Sequence, residues 1–167
     1  MANPIIEIKV KGYGTMTAEL YPDMAPETVK NFTKLIEDGF FTGLIFHRVI
    51  KGFMIQGGGF NEQFKEKDAD SIYGEFKVNG FPQNTLKHTR GVLSMARTNV
   101  PNSASSQFFV MHKDSPWLDG QYAAFGKLTD GYDVLDKIAD TETGVYGYYE
   151  DVPVDPIVIE EAKVVSK

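Results

Sequence analysis

The chain of 167 residues is 42% hydrophobic and 24% charged, the make-up of one soluble globular domain over 1–167, able to bury roughly two-thirds of its unfolded surface. With 23 acidic against 17 basic residues, its net charge of −6 argues against nucleic acid or anionic membrane as partner, because both need a basic field. No cysteine is present, which excludes disulfides, thiolate catalysis and Cys-ligated metal.

In chain order, Ile6, Ile8 and Val10 alternate with polar residues, and after Gly12-Tyr13-Gly14 the pattern repeats at Met16, Ala18 and Leu20. This predicts a hairpin with one buried face. The opening MANPIIEIKV lacks a basic region, a continuous apolar stretch and a small-residue cleavage site. No segment has the length of a membrane span, so a cytoplasmic protein is expected. Pro22 ends the second strand. Pro26 opens a helix at its first position, with Glu27 near the positive dipole end. Val29, Phe32, Leu35 and Ile36 form its apolar stripe, and Asp38-Gly39 stops it after about three turns.

Leu44 to Phe60, LIFHRVIKGFMIQGGGF, carries the oddest feature of the chain. It reads as strands Leu44–Ile50 and Phe53–Gln56 joined through Lys51-Gly52. Alternation sets Phe46, Arg48 and Ile50 on one face and Ile45, His47 and Val49 on the other. A guanidinium inside such an apolar run must be paired or must reach a cavity mouth, because burying it alone costs several kcal/mol. Antiparallel pairing about the turn puts Arg48 opposite Gln56, with Met54 on the same face. Taken singly, an arginine in a strand is more often a snorkelling side chain, so its neighbours have to decide.

A polar stretch over 61–90 follows, long enough to be functional or to carry short structure of its own. Strands are predicted at Gly91–Met95, Gln107–Met111 and Tyr122–Leu128, a short helix at Asp133–Asp140, and a closing strand at Ile157–Val165. Short strands with only two helices indicate an antiparallel barrel or sandwich covered by the helices.

Most chemical motifs fail. His47, His88 and His112 are too scattered for a metal site, and Asp68-Ala69-Asp70 lacks the glycine and the final glutamate of a calcium loop. Gly57-Gly58-Gly59 has neither the Lys-Ser/Thr of a phosphate loop nor a helix after it, and no GxSxG elbow exists. No metal or other cofactor is therefore expected.

Five blocks remain: FHRVIKGFMIQGG at 46–58, SIYGE at 71–75, KHTRGVLSMA at 87–96, PNSASSQFFV at 101–110 and WLDGQYAAFGK at 117–127. Together and in this order they closely resemble the cyclophilin family of peptidyl-prolyl cis/trans isomerases, over nearly the whole chain. The resemblance implies a mainly β fold, a closed eight-stranded antiparallel barrel capped by two α-helices. It implies Arg48 as the catalytic arginine, with Gln56 holding it and touching substrate. Phe53, Met54, Phe109 and Leu118 match the proline-pocket residues, Ala96, Asn102 and Gln107 match positions along the peptide groove, and Trp117 matches a cyclosporin-binding tryptophan. Two departures stand out: Tyr122 occupies a position where many members carry histidine, and the segment between Met95 and Ser106 is one residue longer, so Arg97, Thr98 and Asn99 have no one-to-one match.

The chemistry suits these residues. Rotation about X-Pro breaks amide resonance, with a barrier of roughly 18–20 kcal/mol, and at the twisted transition state the prolyl nitrogen regains a lone pair. A donor to that nitrogen binds the transition state better than either isomer, the condition for faster turnover. Arginine supplies a permanently charged, planar fork of donors. The partners implied are proline-containing peptides and unfolded segments, acted on by a monomer. A non-catalytic proline-peptide binding module is the second reading, and a barrel for a small apolar ligand the third.

Overall fold

A computed structural model describes residues 3–166; Met1, Ala2 and Lys167, the ends of the expected domain, lie outside the described residues. The elements are β1 (Ile5–Val10), β2 (Gly14–Leu20), α1 (Pro26–Glu37), β3 (Arg48–Ile50), β4 (Met54–Gly57), β5 (Val92–Met95), β6 (Phe108–Met111), β7 (Ala124–Asp130), α2 (Tyr132–Ala139), β8 (Thr143–Tyr146), β9 (Tyr149–Pro153) and β10 (Ile159–Ser166). Among the described residues no helix is long and apolar enough to cross a membrane.

Eight strands form one antiparallel sheet in the order β10-β1-β2-β7-β5-β6-β4-β3, and β8 and β9 form a separate hairpin. The sheet curls into an open half-barrel, which corrects the expected closed barrel. Its end strands share no ladder. The chain before β3 meets the start of β10 across the seam, at an isolated Ile45–Val158 bridge, with Phe46 N–H donating to Ile157 O at 3.0 Å, Gly43 N–H to Ile159 O at 2.9 Å and Ile159 N–H to Leu44 O at 2.8 Å. The reason lies in the residues expected to extend β3: the strand holds only Arg48–Ile50, while Leu44 and Ile45 make isolated bridges to Asn61 and Val158. Phe46 and Val49 both enter the main core, so the simple alternation expected across His47 breaks there.

The main core lies inside the curl. Phe32 of α1 meets Phe41, Phe108 and Phe125 with ring centroids at 5.1, 5.2 and 4.8 Å. α1 starts at Pro26 as expected, yet its N-cap is Ala25, which has no side-chain acceptor. The buried Glu75 supplies one from far along the chain. Its Oε1 accepts from Thr28 N–H at 2.7 Å and its Oε2 from Glu27 N–H at 3.2 Å, satisfying amides that open every helix unpaired. The stretch over 61–90 thus contributes a helix cap as well as a one-turn 3₁₀ helix at Lys77–Asn79. The β8–β9 hairpin was not expected. It is largely exposed on both faces and shows no alternation.

Candidate active site

Antiparallel register builds the site row by row. Arg48 pairs with Gln56, Gln56 with Phe109, and Phe109 with Ser94, crossing β3, β4, β6 and β5. Alternation along these strands sends Ile55, Val110 and Leu93 into the main core and turns Met54, Phe109 and Met111 outward. There, with Val92, Leu118 and Ala124, they make a second, smaller apolar cluster outside the curl. Phe53, Ala96 and Tyr122 pack against it. Phe109 and Met54 are therefore not part of the main core.

Over this cluster opens a cavity of about 140 Å³, lined by Arg48, Phe53, Met54, Gln56, Ala96, Arg97, Phe109, Leu118 and Tyr122. An apolar cavity of roughly 150 Å³ is enough to hold one benzene ring. Arg48 stands exposed at its edge and has no carboxylate partner among the described residues. Its Nη1 donates to Gln56 Oε1 at 3.4 Å, and Gln56 Nε2 donates to Gln107 Oε1 at 3.1 Å, so the amide of Gln56 is oriented from both ends. Gln107 in turn is pressed against Gly59: a Cβ there would lie 2.5 Å from the Gln107 side chain. The glycine run after β4 lets backbone pass close to the group that aims Gln56.

Electrostatically the cavity is simple. His47, next to Arg48 in sequence, points away into a ring cluster with Phe60 and Phe64. Burial, reinforced by the Arg48 charge, pushes its pKa down to about 4, so it stays neutral near pH 7. His88 lies beneath Phe109, its ring stacked at 6.1 Å and its nitrogens bonded to Asp119 at 3.0 Å and Ser94 at 2.9 Å. Burial lowers its pKa against the opposing pull of Asp119.

Comparison with known proteins decides the family. Residues 5–164 match the model for the cyclophilin type peptidyl-prolyl cis-trans isomerase family. The chain belongs to this family. A peptidyl-prolyl cis-trans isomerase of Acinetobacter baylyi is 42% identical over 99% of this chain and 88% of its own. The crystal structure of a Cryptosporidium parvum cyclophilin type isomerase superposes with a TM-score of 0.82 at 32% identity, covering 99% of both chains. The structure of that protein in the presence of the dipeptide Ala-Pro superposes at 0.81 with 32% identity, covering 98% of this chain and 99% of that one.

Within this cyclophilin, eight of the residues singled out from sequence line one cavity: Arg48, Phe53, Met54, Gln56, Ala96, Phe109, Leu118 and Tyr122. Gln107 lines an adjoining cavity of about 210 Å³. Asn102 lines neither. Its Oδ1 accepts from Gly74 N–H at 2.9 Å and Asn79 Nδ2 at 2.8 Å, which fastens the 71–79 segment instead. Trp117 is 64% exposed at the rim, its ring 6.0 Å from that of Phe53. Arg97, which sequence matching left without a place, belongs to the walls of both cavities. A lone arginine in a polar turn carries no signal of this; only the fold over Phe76 and Tyr122 brings it in.

Proposed function

We propose that this cyclophilin accelerates rotation about X-Pro bonds in flexible or unfolded segments, with the proline ring in the cavity over Phe109 and Arg48 donating to the prolyl nitrogen as it pyramidalises. The observation that carries the reading is a guanidinium, aimed by an oriented Gln56 and without a carboxylate partner among the described residues, at the edge of a cavity floored by the apolar cluster of Met54, Phe109 and Leu118. An apolar wall grips the ring while the residue before it swings, and the charge acts where the lone pair develops, so its effect is larger in the transition state than in either isomer. Gln56 positions the arginine and offers polar contact to the peptide. No bond is broken, so neither metal nor covalent intermediate is needed. The presence of Ala-Pro with a relative of the same fold supports a proline-containing substrate.

Exchange NMR on a short X-Pro peptide at low enzyme concentration tests the proposal. Faster cis/trans exchange with wild-type protein and loss of most of it in Arg48→Ala is the expected result. Peptide binding without faster exchange would leave the non-catalytic binding module in its place.

A further inference from the structure

We infer that Arg97 makes the groove selective for an acidic side chain directly flanking the proline, an inference that rests on the isomerase reading above. The proline cavity and the cavity beside it share one wall, made of Gln56, Ala96 and Arg97. Among the described residues that line the proline cavity there are two guanidinium groups, Arg48 and Arg97, and no carboxylate.

Arg97 is held between two rings and has no carboxylate partner among the described residues. Its guanidinium carbon lies 4.7 Å from the ring centroid of Phe76 and 4.7 Å from that of Tyr122. Nη1 donates to Thr98 O at 2.9 Å and Nη2 to Gln121 O at 2.7 Å. All four partners are neutral, so they fix the cation without cancelling it. Each terminal nitrogen carries two N–H groups and spends one in these bonds, and the buried Nε has no acceptor, so the group is short of acceptors. A cation already ordered loses little entropy on meeting a carboxylate. A lysine of the peptide at the same place faces both arginines. The second cavity also contains Glu66, so a side chain reaching that far meets both signs. The charge preference is therefore concentrated on the residue next to the proline.

The experiment compares kcat/KM and affinity, from one set of exchange-NMR titrations, for peptides carrying Glu, Gln or Lys on either side of the proline or two residues away. At low salt the wild-type protein should favour Glu over Lys at a flanking position by about fivefold. The gap should shrink between about 20 mM and about 300 mM salt. Arg97→Gln should narrow the ratio at least about twofold, and Arg97→Lys should keep part of it. An unchanged ratio in folded Arg97→Gln protein overturns the inference. Should that variant not fold, a wild-type ratio that is flat with salt, or absent, overturns it equally. If no peptide exchanges faster than in buffer, the isomerase reading fails, and the Glu-to-Lys affinity ratio still decides the role of Arg97.

Discussion

Arg48 combines exposure, a permanent charge and a single bond of 3.4 Å to Gln56, a combination that contributes little to packing and leaves donors free for a substrate. Arg48→Ala should therefore lower kcat far more than peptide affinity, by about 3–4 kcal/mol of activation free energy, the loss typical of one preorganised donor. Arg48→Lys restores charge without the planar fork and should recover only part. Thermal unfolding beside exchange kinetics checks both, with the fold expected to survive; near wild-type exchange in a well-folded Arg48→Ala protein would overturn the mechanism. His47, one position away, acts on stability instead. Its pKa falls from the ordinary value near 6.5 to about 4 on folding, so below pH 6.5 the unfolded chain binds the proton more readily. The associated stability, about 3 kcal/mol, is fully present above pH 6.5 and is lost as pH falls toward 4. His88, lowered in the same direction, adds to the slope. Urea unfolding at pH 7 and pH 4.5 should show a smaller acid loss in His47→Leu than in wild type. Catalysis should be nearly flat from about pH 6 to 8, because no histidine is among the residues lining the cavity and Tyr122 stands where many family members carry one. A step near pH 6.5 that survives His47→Ala would contradict this.

At the scale of elements, α1 depends on a residue that is not part of it. Glu75 is 1% exposed and accepts the Glu27 and Thr28 amides together with the Thr28 hydroxyl, the last at 2.7 Å. Glu75→Ala leaves those donors unpaired beneath the 71–79 segment. Since hydrogen bonds to a charged group contribute about 1.5–3 kcal/mol each and are only partly additive, the expected loss is about 2–4 kcal/mol, measured by chemical denaturation. Glu75→Gln, which keeps an acceptor oxygen, should lose less. The same segment is tied to Asn102, and Phe76 within it forms one side of the Arg97 clamp. Loosening it should therefore also blunt the Glu-to-Lys preference inferred for Arg97, while leaving Arg48 with its partner Gln56.

For the whole molecule, a single tryptophan makes a useful reporter. Trp117 is 64% exposed at the rim beside Phe53, where a bulky apolar ligand spanning the groove would cover it. If cyclosporin is such a ligand, micromolar amounts should both inhibit exchange and change the fluorescence. Unchanged activity and fluorescence would remove Trp117 from the site. The two apolar clusters on opposite faces of one sheet explain why such binding need not disturb the fold: ligand meets the outer cluster, while the aromatic core around Phe32 stays inside the curl.

Periodicity alone was enough for the first hairpin, for α1 from Pro26, for α2 within one residue at each end, and for the pairing of Arg48 with Gln56 across the turn. These features depend on neighbours a few residues apart, and burial of one face leaves a regular pattern in the chain. The ordered family blocks carried the aromatic lining of the cavity as well. Other features needed the tertiary structure. The exposed β8–β9 hairpin buries too little to leave a pattern, and the break at His47, with Phe46 and Val49 in one core, comes from the way the chain enters β3 at the open seam. Arg97, without a one-to-one match in the sequence, lines both cavities, whereas Asn102 bonds to Gly74 and Asn79, for the same reason. Which of two polar residues in one loop lines these cavities depends on where Gly74, Phe76 and Tyr122 stand, and those positions are set by packing between segments roughly 20 or more residues apart, beyond the reach of any local pattern.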